Sequence, residues 1–309
     1  MLNIQENVKL SKYTTFKIGG PAKFFVEVRN EDEISDAVNY AKEKKLDVFV
    51  LAGGSNLLIS EEGFDGLVIK NMSMKLKVDG NEIVCESGVH LFDLVLKSIE
   101  ENLTGLEWAA GIPGTVGGAV VGNAGAFGGE MKDTLVEVKV LDIEEGEFKT
   151  FKNEECEFAY RNSFLKNNYG KFFLISAKFF LGAGDKKSSK KEIEEIIKKR
   201  QAKQPQNPSA GSFFKNPVVE DKETVRNFEK DTGIEARGDK LPVGWFIENV
   251  GLKGKSIGGA QVSEKHANFI INTGNATAED VIMLSSLIKE KVRVNYGIQL
   301  QEEVRMVGF

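Results

Sequence analysis

Only two cysteines and two histidines occur in 309 residues. Cys85 and Cys156 cannot build a disulfide framework or a cysteine knuckle. His90 and His266 are too isolated for a histidine-rich metal site, so no metal is expected. No apolar run reaches the roughly 18 residues of a membrane helix. The stretch from Met1 to Leu10 alternates polar and apolar residues and lacks the apolar core of a secretory leader. A basic excess is missing too, with Lys+Arg 41 against Asp+Glu 46 and a net charge of -5. That balance gives no broad positive field for nucleic acid or an anionic membrane. An anionic ligand must be held by local donors, and the expected setting is cytoplasmic and reducing.

The rest of the composition is an ordinary globular balance, with 41 % hydrophobic and 28 % charged residues. At about 150 residues per domain the chain should hold two domains, or three small ones. Segment Lys23–Val28 reads as a strand. Glu31–Lys45 reads as a helix with Ile34, Ala37, Val38 and Ala41 on one stripe. Asp47–Ala52 and Gly66–Lys70 read as strands. Farther on, Glu82–Glu86, Leu135–Ile143 and Phe172–Leu181 read as strands, and Leu91–Ile99 as a helix. Gly182–Lys191 reads as a linker or helix entry, and Glu192–Lys203 as a helix broken by Pro205–Pro208. A helix near Val243–Val250, a strand near Ala267–Asn272, a helix over Ala278–Arg293 capped by Thr277, and a last strand over Gln299–Val307 complete an α+β pattern.

Glycine is in excess, with 32 residues against a usual share of about 7 %. Eight of them lie between Gly111 and Gly129. Glycine loses more chain entropy on folding than any other residue, so such a cluster implies a need for room. Pro113 and the apolar Ile112, Val116, Val120 and Val121 make this an ordered segment, suited to a flat cofactor lying against backbone. Its spacing is not that of a Rossmann turn. A second stretch, Gly53-Gly54-Ser55-Asn56, ends a buried strand abruptly. It reads either as a pyrophosphate cradle of exposed N–H groups or as a tight turn.

Three further features carry chemistry. Arg161, between Tyr160 and Asn162-Ser163-Phe164, suits bidentate capture of a carboxylate, although an isolated arginine is more often structural. Ser212 lies between Pro208 and Pro217 beside Gly211, where backbone restriction would present its hydroxyl accurately. A capped turn over the Phe213–Phe214 pair is the alternative. In the last strand, Leu300, Val304 and Met306 should face one way, with Gln301, Glu303 and Arg305 facing the other.

Taken in order, Thr14–Gly20, Leu51–Ser60, Gly111–Glu130, Tyr160–Phe164, Gly211–Pro217 and Glu303–Arg305 resemble the signatures of the UDP-N-acetylenolpyruvoylglucosamine reductase (MurB) family. The match runs over nearly the whole chain and resembles the shorter second type, without a substrate-covering tyrosine loop. Asn207 stands where relatives often carry an aromatic residue. The resemblance implies an α+β fold with a two-lobed FAD-binding region of the vanillyl-alcohol-oxidase (PCMH) type and a C-terminal substrate-binding domain. The expected limits are 1–74 and 75–184 for the lobes and 185–309 for the third domain, whose last strand contributes to a cleft. It implies non-covalent FAD on Gly53, Gly54, Ser55 and Asn56 and on Gly111, Thr115, Gly117, Gly118, Asn123 and Gly125. It implies NADPH as co-substrate and a UDP-sugar enolpyruvate as substrate. Ser212 then protonates the carbanion, Arg161 and Glu303 stabilise developing charge, and Lys203 and Asn216 contact substrate. A rival is another flavoenzyme of the same fold, with FAD tied covalently to His90, and release of the flavin by acid separates the two. A catalytically inert flavin module would bind FAD that NADPH fails to bleach.

Overall fold

The computed structural model describes residues 2–236 and 238–309. The chain forms two compact units. The first joins the segment up to Val8 with Pro21–Gly54 and Phe64–Ala202, and the second joins Lys9–Gly20, Ser55–Gly63 and Lys203–Phe309.

In the first unit, Pro21–Val28, Phe64–Asn71 and Val48–Leu51 pair in parallel, with Gln5–Lys9 on the outer edge of the same sheet. Residues Leu67, Val68 and Ile69 are fully buried, as expected where parallel strands are covered on both faces. The helix Glu31–Lys44 covers this sheet. Asn30 caps it by accepting from the Glu33 N–H at 2.9 Å, three acidic residues fill its first turn, and Lys45 ends it in a left-handed conformation. Its stripe of Ile34, Ala37, Val38 and Ala41 packs against Leu141, Phe173 and Ile175. Those three residues belong to, or sit beside, the strands of a five-stranded antiparallel sheet ordered Phe148–Lys152, Leu135–Asp142, Phe172–Phe180, Glu82–Glu86, Leu76–Asp79.

The helix expected from Glu192 begins earlier, at Lys186, and runs to Lys203. Asp185 starts it by accepting from the Ser188 N–H at 2.8 Å. Ile193 and Ile196 sit in the core of the first unit, so the compact unit extends to Ala202 and not to the expected limit near residue 184. The segments Lys9–Gly20 and Ser55–Gly63 differ from expectation in the opposite sense. Their Phe16, Ile18 and Leu58 belong to the core of the second unit.

The second unit is an antiparallel sheet ordered Ser209–Ser212, Phe269–Asn272, Ala260–Val262, Ser256–Ile257. Its core takes in the helices Val243–Asn249 and Ala278–Tyr296. Thr277 and Asp280 cap the long helix reciprocally, at 3.0 and 3.1 Å. Glu61 adds a third acceptor, taking the Ala278 N–H at 2.6 Å. Helix Lys222–Thr232 and the short pairings of Leu57–Ile59 with Arg305–Val307 were not expected. The last strand is shorter than its pattern implied. A bend precedes Arg305, which changes the alternation, so Leu300, Val304 and Val307 are buried and Met306 is exposed.

One buried carboxylate in the first unit, Glu107, has no ion pair among the described residues. Glu107 accepts from Ser189 Oγ at 2.5 Å, Thr104 Oγ1 at 2.8 Å and the Gly105 N–H at 2.8 Å. Burial alone would raise its pKa, but these three donors outweigh it and hold the group below its ordinary value. A depressed folded pKa stabilises above the unfolded value and is lost as pH falls through the folded one. The midpoint of urea unfolding should therefore fall from pH 5 to pH 3 more steeply in the wild type than in Glu107→Gln. Ser189→Ala should destabilise the protein at pH 7 by roughly 1–3 kcal/mol, since it removes a hydrogen bond to a charge.

Candidate active site

The two glycine-rich stretches meet backbone to backbone inside the first unit. A β-carbon on Gly53 would lie 2.5 Å from Gly114 Cα and 3.1 Å from Thr115 N. No side chain fits there, so Gly53 is fixed by space. Lys70 donates to the carbonyl of Ala52 just ahead of this turn, and burial lowers its pKa against the opposing pull of Glu27. No sequence signal singled out Lys70. Gly54 closes this segment of the first unit, and Ser55 and Asn56 open a segment of the second.

The Gly111–Glu130 stretch is more structured than a loop. Val116–Val121 is a short helix, and Gly125–Ala126 pairs with Gly129–Glu130 as a hairpin. Thr115 precedes the helix with its Oγ1 buried and without a hydrogen-bond partner among the described residues. An orphaned hydroxyl at the lip of a backbone cradle fits a ligand rich in acceptors, such as a dinucleotide. Gly118 is exposed beside Ala52, with only ordinary contact distances around it. Gly117 instead packs on Ser87, whose carbonyl accepts its N–H at 2.8 Å. Part of the glycine cluster therefore serves internal packing rather than the ligand.

Asn123 is wholly buried at φ 43°. Its Nδ2 donates to Glu130 Oε2 at 2.9 Å and to the Ala159 carbonyl at 3.0 Å, and its Oδ1 accepts from the Lys132 N–H at 3.2 Å. The side chain is thus committed to holding the hairpin. Arg161, at φ 55°, anchors Nη2 on the Gly125 carbonyl at 2.6 Å and lies 5.2 Å from the Tyr160 ring. The sequence neighbourhoods of Gly125 and Arg161 are thereby brought together. His90 forms a two-residue bridge with Thr115 and remains exposed.

The second unit assembles the remaining candidates. Ser209 and Ser212 oppose Ile271 and Phe269, so one extra residue is inserted between them as a bulge. A bulge reverses the alternation beyond it and re-aims the next side chain. Gly211 makes this possible with φ +80°, although a β-carbon there would meet nothing within 4 Å. Here the requirement is backbone conformation, not room. Beyond the bulge, Asn268 clamps the chain. Its Oδ1 accepts from the Phe214 N–H at 3.0 Å, its Nδ2 donates to the Phe214 carbonyl at 2.9 Å, and its own carbonyl takes the Phe213 N–H at 2.7 Å. Thr15 Oγ1 donates to the Ser209 carbonyl at 2.7 Å, which ties the N-terminal signature to the same strand. His266 Nδ1 accepts from the Asn268 N–H at 3.2 Å. Burial lowers the His266 pKa, with Lys203 and Lys253 pushing the same way, and its role is structural.

Glu303 reaches the Ser212 segment through backbone. Its N–H donates to the Phe213 carbonyl at 2.8 Å, and Lys215 N–H donates to the Gln301 carbonyl at 2.9 Å. Asn56 Nδ2 holds the Glu303 carbonyl at 3.1 Å, a supporting role the sequence did not suggest. Asn216 Oδ1 accepts from the Val243 N–H at 3.1 Å and so caps that helix from a distance. Lys203 is exposed at the end of its helix.

These contacts separate two uses of glycine. Gly53→Ala must push two backbones apart, at roughly 1–3 kcal/mol for overpacking, and the purified variant should lose bound flavin absorbance. Gly211→Ala should cost about 1–2 kcal/mol through its left-handed conformation and keep the flavin. Visible spectra and thermal melts of both variants check this.

Comparison with known proteins extends the geometry. The FAD binding domain family matches residues 22–152. The C-terminal domain family of UDP-N-acetylenolpyruvoylglucosamine reductase matches residues 203–307, beginning where the main segment of the second unit begins. The UDP-N-acetylenolpyruvoylglucosamine reductase of Caldanaerobacter subterraneus is 41 % identical over 98 % of this chain and 93 % of its own length. That of Lactobacillus delbrueckii is 41 % identical over 99 % and 96 %. The crystal structure of UDP-N-acetylenolpyruvylglucosamine reductase from Thermus caldophilus superposes with a TM-score of 0.79 at 31 % identity, covering 99 % of this chain and 100 % of that one. On this identity over its full length, the chain belongs to the UDP-N-acetylenolpyruvoylglucosamine reductase family.

Proposed function

We propose that this protein reduces the enolpyruvyl group of a UDP-sugar with electrons from NADPH, using non-covalently bound FAD as the carrier, in the cytoplasmic supply of peptidoglycan precursors. The observation that carries the reading is the backbone pairing of the Ser212 segment with Glu303 in the second unit, through Glu303 N–H to Phe213 carbonyl at 2.8 Å. In a family defined by this reaction, the pairing joins a hydroxyl donor to a carboxyl group on one framework. Cys85 and Cys156 are free and buried, as suits a reducing compartment.

FAD would rest on Gly53, Gly54, Gly111, Thr115 and Gly118. The Thr115 hydroxyl would supply the hydrogen bond it lacks within the protein. Gly117, Asn123 and Gly125 shape the same cradle from behind, and Ser55 and Asn56 complete the expected set. When bound, FAD supplies the two-electron transfer that no side chain can perform.

The remaining chemistry belongs to this chain. Arg161 takes the substrate carboxylate. Its Gly125 anchor at 2.6 Å fixes one corner of a rigid planar fork and therefore the direction of the whole group. Negative charge grows on the enolpyruvyl carboxylate and the neighbouring carbon as the reaction proceeds, so a pre-set cation lowers the barrier more than it lowers the ground state. Glu303 would help if protonated or if it orients another donor, since an anion beside that charge would raise the barrier. Ser212 delivers the final proton. A hydroxyl is a weak acid, and its usefulness comes from the placement fixed by the bulge and the Asn268 clamp. Lys203 and Asn216 contact the substrate, Lys203 as a point charge.

Anaerobic stopped-flow tests each assignment. Ser212→Ala should retain FAD and bleach normally with NADPH, while reoxidation by the enolpyruvyl UDP-sugar slows by roughly 10²–10⁴, the usual worth of a general acid. Normal turnover in this variant would remove Ser212 from the mechanism. Arg161→Lys should slow the second half-reaction at least tenfold more than the first, because lysine loses the fork geometry, whereas equal slowing of both halves would count against its role.

A further inference from the structure

Buried polar atoms without partners are concentrated near the glycine-rich segment of the first unit. Among the described residues, Thr115 Oγ1 is one and Arg200 Nε and Nη2 are two more. Arg200 lies on the helix Lys186–Lys203. Its stem runs past Gly111, where a β-carbon would stand 3.0 Å from Arg200 Cδ. Its guanidinium lies 5.2 Å from the centre of the Phe127 ring. No ion pair reaches it among the described residues, and burial lowers its pKa.

A half-buried guanidinium with two of its nitrogens buried and unpartnered among the described residues is costly, and a neighbouring ring offsets only part of that cost. A methionine would fill the same path beside Gly111 and Phe127 without the charge. An arrangement that weakens the empty protein makes sense when an anion arrives to discharge it. Two anions of FAD qualify, the pyrophosphate and the ring system after reduction. A hydride brings two electrons and one proton, so the reduced ring carries one more negative charge. The position favours the ring. Phe127 stands on the hairpin whose Gly125 carbonyl holds Arg161, the residue proposed above to take the substrate carboxylate.

We propose that Arg200 is a cofactor-binding residue that receives the negative charge of reduced FAD beside Phe127 and so favours reduction by NADPH. The proposal rests on FAD being bound as argued above, and a wild-type protein that takes up no flavin would defeat that reading before any variant is made. The test compares wild type, Arg200→Met and Arg200→Lys by spectroelectrochemical titration of bound flavin, by FAD dissociation constant, and by melting of the apoproteins. Arg200→Met should hold FAD while binding the reduced form at least tenfold less favourably relative to the oxidised form. That is a midpoint potential about 30 mV or more below wild type for a two-electron couple. Arg200→Lys should recover most of the difference, and the Arg200→Met apoprotein should melt no lower than wild type. An unchanged potential with FAD affinity down tenfold or more would keep Arg200 as an anion receptor and assign it to the pyrophosphate. Unchanged potential and unchanged affinity would overturn the proposal. So would an Arg200→Met apoprotein that fails to fold while Arg200→Lys folds, since the charge would then serve structure.

Discussion

The absence of a side chain at Gly53 sets the form of the first unit's candidate site. Gly114 Cα stands 2.5 Å from the place a β-carbon would occupy, so any other residue separates the two backbone segments. The close approach sets the two glycine-rich stretches side by side as one backbone surface, next to the Thr115 hydroxyl that has no partner among the described residues. Such a surface recognises shape and negative charge through the main chain, which explains how a chain of net charge -5 can hold a polyanionic dinucleotide without a basic patch. Lys70 supports the same turn from behind through the Ala52 carbonyl.

The second unit solves a different problem, the aiming of one hydroxyl. Serine offers little acidity, so accuracy must replace it. Gly211 supplies the left-handed residue of a bulge, and Asn268 holds the next residues by both backbone groups of Phe214. The buried Phe213–Phe214 pair, with ring centroids 5.1 Å apart, prevents the clamp from sliding. The Glu303 N–H then donates to the Phe213 carbonyl. The candidate residues Ser212 and Glu303 therefore lie on hydrogen-bonded backbone.

Sequence periodicity located the elements whose signal is local. The helix Glu31–Lys44 announced itself through its stripe and its cap, and Thr277 marked the start of Ala278–Tyr296 within the residue. The helix Lys222–Thr232 buries only Phe228, so no stripe was there to read. The division into units was also invisible locally. Segments such as Thr14–Gly20 and Ser55–Gly63 join the second core through few apolar anchors, Phe16 and Ile18 in one and Leu58 in the other, whose partners are far along the chain. Among site residues, Gly53, Arg161, Ser212 and Glu303 were legible through motifs. Asn268, Lys70 and Arg200 were not, because their importance lies in what they touch. The glycine cluster was read as space for a ligand, yet Gly117 and Gly125 are also required by Ser87 and by Glu130 and Arg161.

Backbone strain points to the same hairpin as the unpaired atoms. Asn123, Phe127 and Arg161 all hold positive φ without being glycine, at 43°, 51° and 55°. Each such residue costs about 1–2 kcal/mol and persists only where its surroundings over-determine it. Asn123 is compensated by three side-chain hydrogen bonds. Arg161 is compensated by its Gly125 anchor and by Lys166 Nζ, which donates to its carbonyl at 2.9 Å. Phe127 is 54 % exposed and has the Arg200 guanidinium against its ring. A folded chain has no reason of stability to keep an exposed aromatic ring in a strained conformation over a half-buried cation whose Nε and Nη2 have no partner among the described residues. Both costs fall on one point of the segment matched by the FAD binding family, where a flat, charge-accepting ligand would cover the ring and neutralise the cation together.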